Sequence, residues 1–357
     1  MCLYPKKYIN KKYIATEKNG GNIPKLPIVG YQLTKTPNGN YIDEPIYDTR
    51  VKEIEIPCGQ CIECRQKKAA EWRVRLTEEI KEHKYNYFIT YTFDPLELQK
   101  ICDRTHQAES NYIVGWAIRH YLERWRKDYK CSQKHWFITE LGHDNTERIH
   151  IHGLIFSDNP LNTELLQKYW KYGGIWIGDY CNNKTINYIV KYVTKIDNDH
   201  KSFHAQIFSS PGLGKNWIQR HMGEITYTYR PHRSRTDYIL PDGKKIALPT
   251  YYKNYLYNEE DREKIWRDFM DKDKVTILGN DYSISVKNDT LARVSKKANE
   301  INNFNGYGNA SKEWRKQPYN ITERMLRTGE KRAAELKKTR LNGEFKEWWQ
   351  NYYEKNA

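Results

Sequence analysis

Residues 148–156, with the sequence RIHIHGLIF, constrain the fold more than any other part of the chain. Apolar residues alternate there with two histidines, a pattern typical of a β-strand. Because alternate residues of a strand point to the same side, His150 and His152 are predicted to stand next to each other on one face of a sheet. Two neighbouring imidazoles can bind one divalent metal ion, so this strand is a candidate metal site.

A second informative segment is YIVKYVTK, at residues 188–195. The pattern predicts a helix over residues 185–196, and residues four apart on a helix share a face. We therefore expect Tyr188 and Tyr192 to stack on one side, with Lys191 and Lys195 beside them. Such a tyrosine pair is ordinarily a packing stripe, but a neighbouring ammonium group also stabilises a phenolate or the charge of a phosphate.

A carboxylate is expected to complete the metal site, because two neutral histidines leave a cation under-coordinated and oxygen ligands suit Mg or Mn. Glu140 is the candidate. It ends a strand predicted at residues 135–140, and the polar turn at residues 142–148 makes that strand an antiparallel neighbour of the histidine strand. His143 and Asp144, within the turn, are the alternatives.

The order of these segments resembles the HUH endonucleases that start rolling-circle replication of single-stranded DNA. The resemblance is nearer to the replication initiators of microviruses, especially their gokushovirus-like branch. Four more segments carry it: FITYTFD at residues 88–94, FITELG at 137–142, PCGQCIEC at 57–64 and SPGLG at 210–214. It extends from about residue 57 to residue 215, and the C-terminal third of the chain matches no motif.

The resemblance implies an antiparallel sheet with the active site on its open face, and two tyrosines that cut DNA in turn. One tyrosine attacks the origin and becomes linked to the 5′-phosphate, which leaves a 3′-OH primer. The other attacks the regenerated junction after one round, and the released 3′-OH closes the circle. Lys191 and Lys195 match the family pattern, as does a carboxylate near Glu140.

The same resemblance implies single-stranded and supercoiled origin DNA as partners, in the cytoplasm of a bacterial host. No phosphate-binding G-x-x-x-x-G-K-[ST] motif is present, so we expect a host helicase and DNA polymerase to do the unwinding and synthesis. No apolar stretch reaches the length of a membrane span and the N-terminus does not read as a signal peptide, which predicts no membrane partner.

Charge and aromatic content favour the same class of partner. The chain has 60 Lys and Arg against 45 Asp and Glu, a formal net charge of +15, which favours a polyanion. It also has 29 Tyr and 11 Trp, and aromatic rings in a positive groove bind single-stranded bases. A merely soluble basic protein with an aromatic core would share this composition.

The cysteines are the least decided feature. Cys58, Cys61 and Cys64 follow a C-x-x-C-x-x-C spacing, and Cys2 could supply a fourth thiolate to a closed structural zinc site. The spacing is not the usual pair of separated C-x-x-C knuckles. An iron–sulfur cluster and reduced, metal-free thiols are the alternatives, whereas a disulfide framework is not expected in an unsecreted chain.

The predicted fold class is α+β, an antiparallel sheet with helices packed on one face (an HUH endonuclease core), followed by a helical C-terminal region. We expect a cysteine-containing segment over residues 1–64, the core over 65–215 and a mostly helical, basic region over 216–357. In that last region, residues 225–229 are predicted as a hairpin strand and 302–308 as a linker. The tail, residues 311–357, is predicted as a DNA clamp or partner-docking helix, or as an amphipathic helix packed through its tryptophans.

The sequence therefore predicts a site-specific, metal-dependent single-strand DNA endonuclease that also rejoins ends and nicks a viral origin. A plasmid or transposon enzyme of the same chemistry is the near alternative. A catalytically silent DNA-binding protein and a nuclease that uses water are the others.

Overall fold

A computed structural model describes residues 2–142, 147–178, 181–195, 197, 199–285, 289–311 and 313–326. The helices of this part are α1 (Ile62–Glu79), α2 (Pro95–Thr105), α3 (Ser110–Tyr129), α4 (Thr163–Tyr169), α5 (Asn183–Ile189), α6 (Lys215–His221), α7 (Thr250–Leu256), α8 (Glu259–Met270) and α9 (Thr290–Phe304). The strands are β1 (Lys6–Ile9), β2 (Ile28–Lys35), β3 (Tyr41–Tyr47), β4 (Glu53–Ile56), β5 (Tyr85–Thr92), β6 (Lys134–Leu141), β7 (Ile149–Ser157), β8 (Ile175–Ile177), β9 (Ile207–Ser209), β10 (Asp237–Ile239), β11 (Lys245–Ala247), β12 (Val275–Ile277) and β13 (Asn280–Tyr282).

The chain divides into two compact units. The first comprises Met1–Arg65, Thr228–Ser234 and Tyr257–Trp314, and the second comprises Gln66–Tyr227, Arg235–Leu256 and Arg315–Ala357. Residues 216–357, predicted as one region, thus contribute to both units. The division predicted at residues 64 and 215 stays a prediction.

The second unit is built on a five-stranded antiparallel sheet with the order β8-β5-β7-β6-β9. The histidine strand β7 is its centre, paired with β5 on one side and β6 on the other. The predicted α+β class with an antiparallel sheet is confirmed. The predicted strands at residues 85–93 and 135–140 match β5 and β6 closely, because each is a short alternating run bounded by turn residues.

Helices pack against both faces of this sheet, so the prediction of helices on one face is wrong. On one side, Ile149 and Ile151 pack with buried residues of α2, α3 and α4. On the other, Leu154 and Phe156 pack with Leu76 of α1 and with α5. The reason lies in β7 itself: its second half is apolar on both faces, and only its first half presents histidines to one of them.

Several other elements differ from the sequence-based predictions. Helix α5 ends at Ile189 and continues as a 3₁₀ turn, Val190–Val193, whereas one helix was predicted over residues 185–196. The strand predicted at residues 225–229 is wrong, since Ile225–Tyr227 forms a 3₁₀ helix. The linker predicted at residues 302–308 begins inside α9, which runs to Phe304. No helix among the described residues is long and apolar enough to cross a bilayer. Residues 327–357, most of the predicted clamp, lie outside the described part.

The first unit consists of small antiparallel pairs and two helices. Strand β1 pairs with β4, β2 with β3, and β12 with β13, while α8 and α9 supply the helical part. One apolar cluster centres on Val275, Ile277 and Ala298, with Leu3 against it. This cluster is small beside the two that cover the faces of the five-stranded sheet.

Candidate active site

The register of three strands gathers polar side chains around the histidines of β7. His150 lies opposite Glu140 of β6, while Thr92 and Thr90 of β5 lie opposite His150 and His152 respectively. The two imidazole rings are nearly parallel, with centroids 6.3 Å apart. They therefore share one face of the sheet, as the alternation of the strand predicts.

His152 is held on both of its ring nitrogens. Its Nε2 lies 2.7 Å from Oε2 of Glu140, and its Nδ1 lies 2.9 Å from the Oγ1 of Thr90. Its ring also stacks on that of Tyr192, with centroids 5.0 Å apart. These contacts fix the orientation of the imidazole within the site.

Glu140 is an ionised, mostly buried carboxylate. Its side chain is 15% exposed, and it accepts hydrogen bonds from His152 and from the ammonium group of Lys195. Burial by itself raises the pKa of this carboxyl, but the hydrogen bonds from His152 and Lys195 outweigh burial and bring the pKa below its ordinary value. The group therefore carries a negative charge at neutral pH.

His150 is uncharged at neutral pH. Burial, and then the neighbouring His152, lower the pKa of its imidazole to about 4. The neutral form is the one that binds metal ions. Gly142 leaves room for this ring, because a Cβ atom there would lie 3.1 Å from Cε1 of His150.

The three side chains suit a divalent cation in chemistry and in order along the sheet. Two neutral imidazoles and one carboxylate form a common donor set, and the contact of Thr90 with Nδ1 of His152 leaves Nε2 as the ligand atom. Their ligand atoms are nevertheless not yet gathered. Among the described residues, only a group of four cysteines brings such atoms within 4.8 Å of one another. Metal binding by His150, His152 and Glu140 requires a closer approach than the structure has.

The two tyrosines meet at their hydroxyl groups, 2.6 Å apart. Tyr188 is on α5, whose first turn is capped by the side chain of Asn182, and Tyr192 is on the 3₁₀ turn that follows. Tyr188 is 51% exposed, whereas Tyr192 is 8% exposed. Burial, the contact with Tyr188 and the nearby charge of Glu140 raise the pKa of Tyr192 well above its ordinary value. One phenol is therefore accessible and the other is buried beside the histidines.

The two lysines occupy different surroundings. Lys195 pairs with Glu140, and its Nζ lies 5.5 Å from the centroid of the Tyr192 ring. Lys191 is exposed and makes no hydrogen bond or ion pair with the described side chains of the site. The change to three residues per turn after Ile189 alters which residues face the sheet, so the structure brings only Lys195 to it.

Two aromatic residues that the sequence reasoning missed border the tyrosines. Phe88 contacts the rings of His152, Tyr188 and Trp176, with centroid distances of 6.2, 6.0 and 5.8 Å. Trp176 is 39% exposed. The alternation of β5 could have revealed Phe88, because it shares a face with Thr90 and Thr92. His143 and Asp144, the alternatives to Glu140, lie outside the described residues.

Comparisons with known proteins bear on this site directly. Residues 86–197, which include every site residue named above, match the family model of the replication-associated protein ORF2. The chain is 24% identical over 275 residues to "Replication-associated protein VP4" of Bdellovibrio phage phiMH2K, covering 71% of this chain and 79% of that one. The chain belongs with the phage replication-associated proteins. The expected microvirus-like rolling-circle replication initiator is thereby confirmed.

Other replication-associated proteins show the same likeness. The chain is 26% identical to "Replication-associated protein ORF4" of Chlamydia phage 1 over 56% of this chain and 53% of that one. It is 23% identical to "Replication-associated protein ORF2" of Spiroplasma virus 4 over 65% of this chain and 75% of that one. No solved structure matches the chain, so an HUH-type core stays a prediction.

Proposed function

We propose that this replication-associated protein is a metal-dependent endonuclease for single-stranded DNA that nicks the phage origin, holds the cut end on a tyrosine and later rejoins it. The observation that carries the proposal is the position of the linked hydroxyls of Tyr188 and Tyr192 beside the His152–Glu140 pair. Binding alone would need neither a phenol pair nor a buried, ionised carboxylate among histidines.

The chemistry is a transesterification that conserves the number of phosphoester bonds. The phenol oxygen attacks the scissile phosphorus, a bond from oxygen to phosphorus forms, and the bond from phosphorus to the 3′ oxygen breaks. The proton of the phenol passes overall to the 3′ oxygen, and no water is consumed. The 3′-OH then primes synthesis, and it or a later 3′-OH can reverse the step to seal the strand.

His150, His152 and Glu140 are the proposed ligands of a Mg or Mn ion. Such an ion would draw charge from a phosphate oxygen and orient the scissile bond. Thr90 fixes His152 for this role through the contact with its Nδ1. Lys195, already paired with Glu140, is the residue that supplies positive charge near the attacked phosphate.

We assign the first attack to Tyr188. Its hydroxyl is accessible to a DNA strand, whereas the ring of Tyr192 is buried against His152. The 2.6 Å hydrogen bond lets Tyr192 donate to the oxygen of Tyr188 as negative charge develops there. Phe88 and Trp176, beside Tyr188, offer faces on which bases near the cut can stack.

The partners are proposed on the same grounds. An excess of basic residues suits the origin DNA, and Lys191, exposed next to the site, is placed to contact a backbone phosphate. A host helicase and a host DNA polymerase would open and copy the duplex, within the cytoplasm of the host.

The test uses the full chain, Mn²⁺ and a random-sequence library of single-stranded oligonucleotides, separated on a denaturing gel. We expect a protein–DNA band that survives denaturation, is lost without the metal and is lost in the Tyr188→Phe, Tyr192→Phe double variant. Tyr85→Phe, at the far end of β5, is the matched control and should keep the band. Cleaved DNA without any protein-linked band would contradict the covalent step, and binding without cleavage would contradict the enzyme.

A further inference from the structure

We propose that Cys2, Cys58, Cys61 and Cys64 bind a single zinc ion in a closed, structural site of the first unit. The four sulfur atoms lie within 4.8 Å of one another. The Sγ atoms of Cys58 and Cys64 are 3.9 Å apart, as are those of Cys2 and Cys61. The comparisons assign no such site to this chain, and it is built from residues outside the proposed catalytic centre.

The sulfur spacing fits one tetrahedral ion. A zinc–sulfur bond of about 2.3 Å places the four sulfurs of a tetrahedron roughly 3.8 Å apart. A disulfide needs its two sulfurs about 2.0 Å apart, so none of the printed pairs is a bond in the making. A cluster of several irons would bind each cysteine to a different metal atom and would need a wider arrangement.

Backbone N–H groups point at three of the sulfurs. The amide of Leu3 donates to Cys61, that of Cys58 to Cys2 and that of Cys61 to Cys58, over 3.5, 3.2 and 3.4 Å respectively. Such donors stabilise thiolates, which is the form that binds zinc. Gly59, at φ +75°, allows the tight turn that brings Cys58 and Cys61 together.

The surrounding fold holds the two cysteine-bearing segments in place without the metal taking part. Asn302 of α9 is fully buried, and its Oδ1 accepts from the backbone N–H of Ile62, at the start of α1. Its Nδ2 contacts the hydroxyl of Tyr4 at 3.3 Å and donates to the carbonyl of Gly308 at 2.5 Å. Cys64 lies in the first turn of α1, where the helix dipole favours a thiolate.

The ion would be structural, because four protein ligands leave no open position for water or substrate. It would link residue 2 to the start of α1, next to the small apolar cluster that includes Leu3. A unit with little apolar area to bury gains much of its folding free energy from such a link. We therefore expect loss of the ion to unfold this unit.

The first experiment measures metal in the full chain purified without chelators. Elemental analysis should find about one zinc per chain, and X-ray absorption at the zinc edge should find four sulfur ligands. Neither readout depends on a variant that folds. Absence of metal, iron in place of zinc, or a first shell with oxygen or nitrogen would overturn the proposal.

A second experiment compares Cys58→Ser with Cys131→Ser, an exposed cysteine of the second unit. We expect Cys131→Ser to keep the zinc and Cys58→Ser to lose at least half of it. Cobalt added to the wild-type apoprotein should give the strong sulfur-to-cobalt absorption of a tetrathiolate site. Full zinc content in Cys58→Ser, or wild type without that absorption, would show that these sulfurs are not the ligands.

Discussion

Unequal exposure of the two tyrosines makes their substitution by phenylalanine a sharp test of which phenol attacks first. Tyr188→Phe removes the accessible hydroxyl, and Tyr192→Phe removes only the buried hydroxyl that hydrogen-bonds to it at 2.6 Å. If Tyr188 is the first nucleophile, the first variant loses the attacking atom. The second loses only a donor to the charge that develops on that atom.

The expected magnitudes follow from these contacts. A hydrogen bond to a charged group contributes about 1.5–3 kcal/mol, so Tyr192→Phe should slow the first cleavage by about 10- to 100-fold. Tyr188→Phe should slow it by at least about 10³-fold, the scale on which a nucleophile is lost. Both variants should fold, since each keeps its ring and loses one hydroxyl worth about 0.5–1.5 kcal/mol of stability.

The assay is a single turnover with an oligonucleotide recovered from the covalent complex of the wild-type protein. Excess protein and Mn²⁺ are mixed with the labelled strand, stopped with detergent and resolved on a denaturing gel. Circular dichroism checks that each variant is folded. Loss of the first adduct in Tyr192→Phe with retention in Tyr188→Phe would reverse the order, and equal rates would mean that exposure does not select the nucleophile.

Three further predictions concern the sheet and the helix beside it. Thr90→Val, which removes the hydroxyl 2.9 Å from Nδ1 of His152, should weaken Mn²⁺ activation about 10- to 100-fold in a metal titration of cleavage without changing the thermal midpoint by more than a few degrees. Gly153→Ala would put a Cβ atom 2.6 Å from a backbone oxygen of the neighbouring strand, and chemical denaturation should show a loss of about 3 kcal/mol. The hydrogen bond from His83 to Glu79 raises the pKa of His83, so its stabilisation is complete below its unfolded pKa of about 6.5 and is lost as pH rises through the folded value. The thermal midpoint should therefore fall from about pH 6 to pH 8, and a fall of the same size in His83→Asn would contradict that source.

Local patterns were enough to predict the parts of the fold that depend on short-range sequence. The alternation around His150 and His152 gave a strand with both rings on one face, and the short turn before it gave an antiparallel neighbour that carries Glu140. These positions follow from strand periodicity and hairpin geometry, which act over a few residues. The catalytic roles of the residues stay predictions.

Features that depend on tertiary packing could not be predicted in the same way. The helices on the second face cover Leu154 and Phe156, whose burial on that side is decided by distant parts of the chain. Helix α2 was missed because Asp94 and Pro95 were taken only as the end of a strand, although an aspartate cap followed by proline equally begins a helix. The place of Cys2 beside the other cysteines depends on a fold that sequence spacing does not record.

The helix that carries the tyrosines shows how a small change of geometry alters a site. An ideal helix would place Lys191 and Lys195 at similar angles to Tyr188 and Tyr192. The switch to a tighter turn after Ile189 leaves Lys191 exposed and Lys195 on Glu140. Residue type and spacing alone do not distinguish the two forms of helix.

The most direct test of the account is to digest the protein–DNA complex formed in one turnover and to locate the attached nucleotide by mass spectrometry. The account predicts a deoxynucleotide joined through its 5′-phosphate to the peptide that contains Tyr188. Cut DNA with free 5′-phosphates and no modified peptide, or a nucleotide on a residue other than Tyr188 and Tyr192, would contradict it.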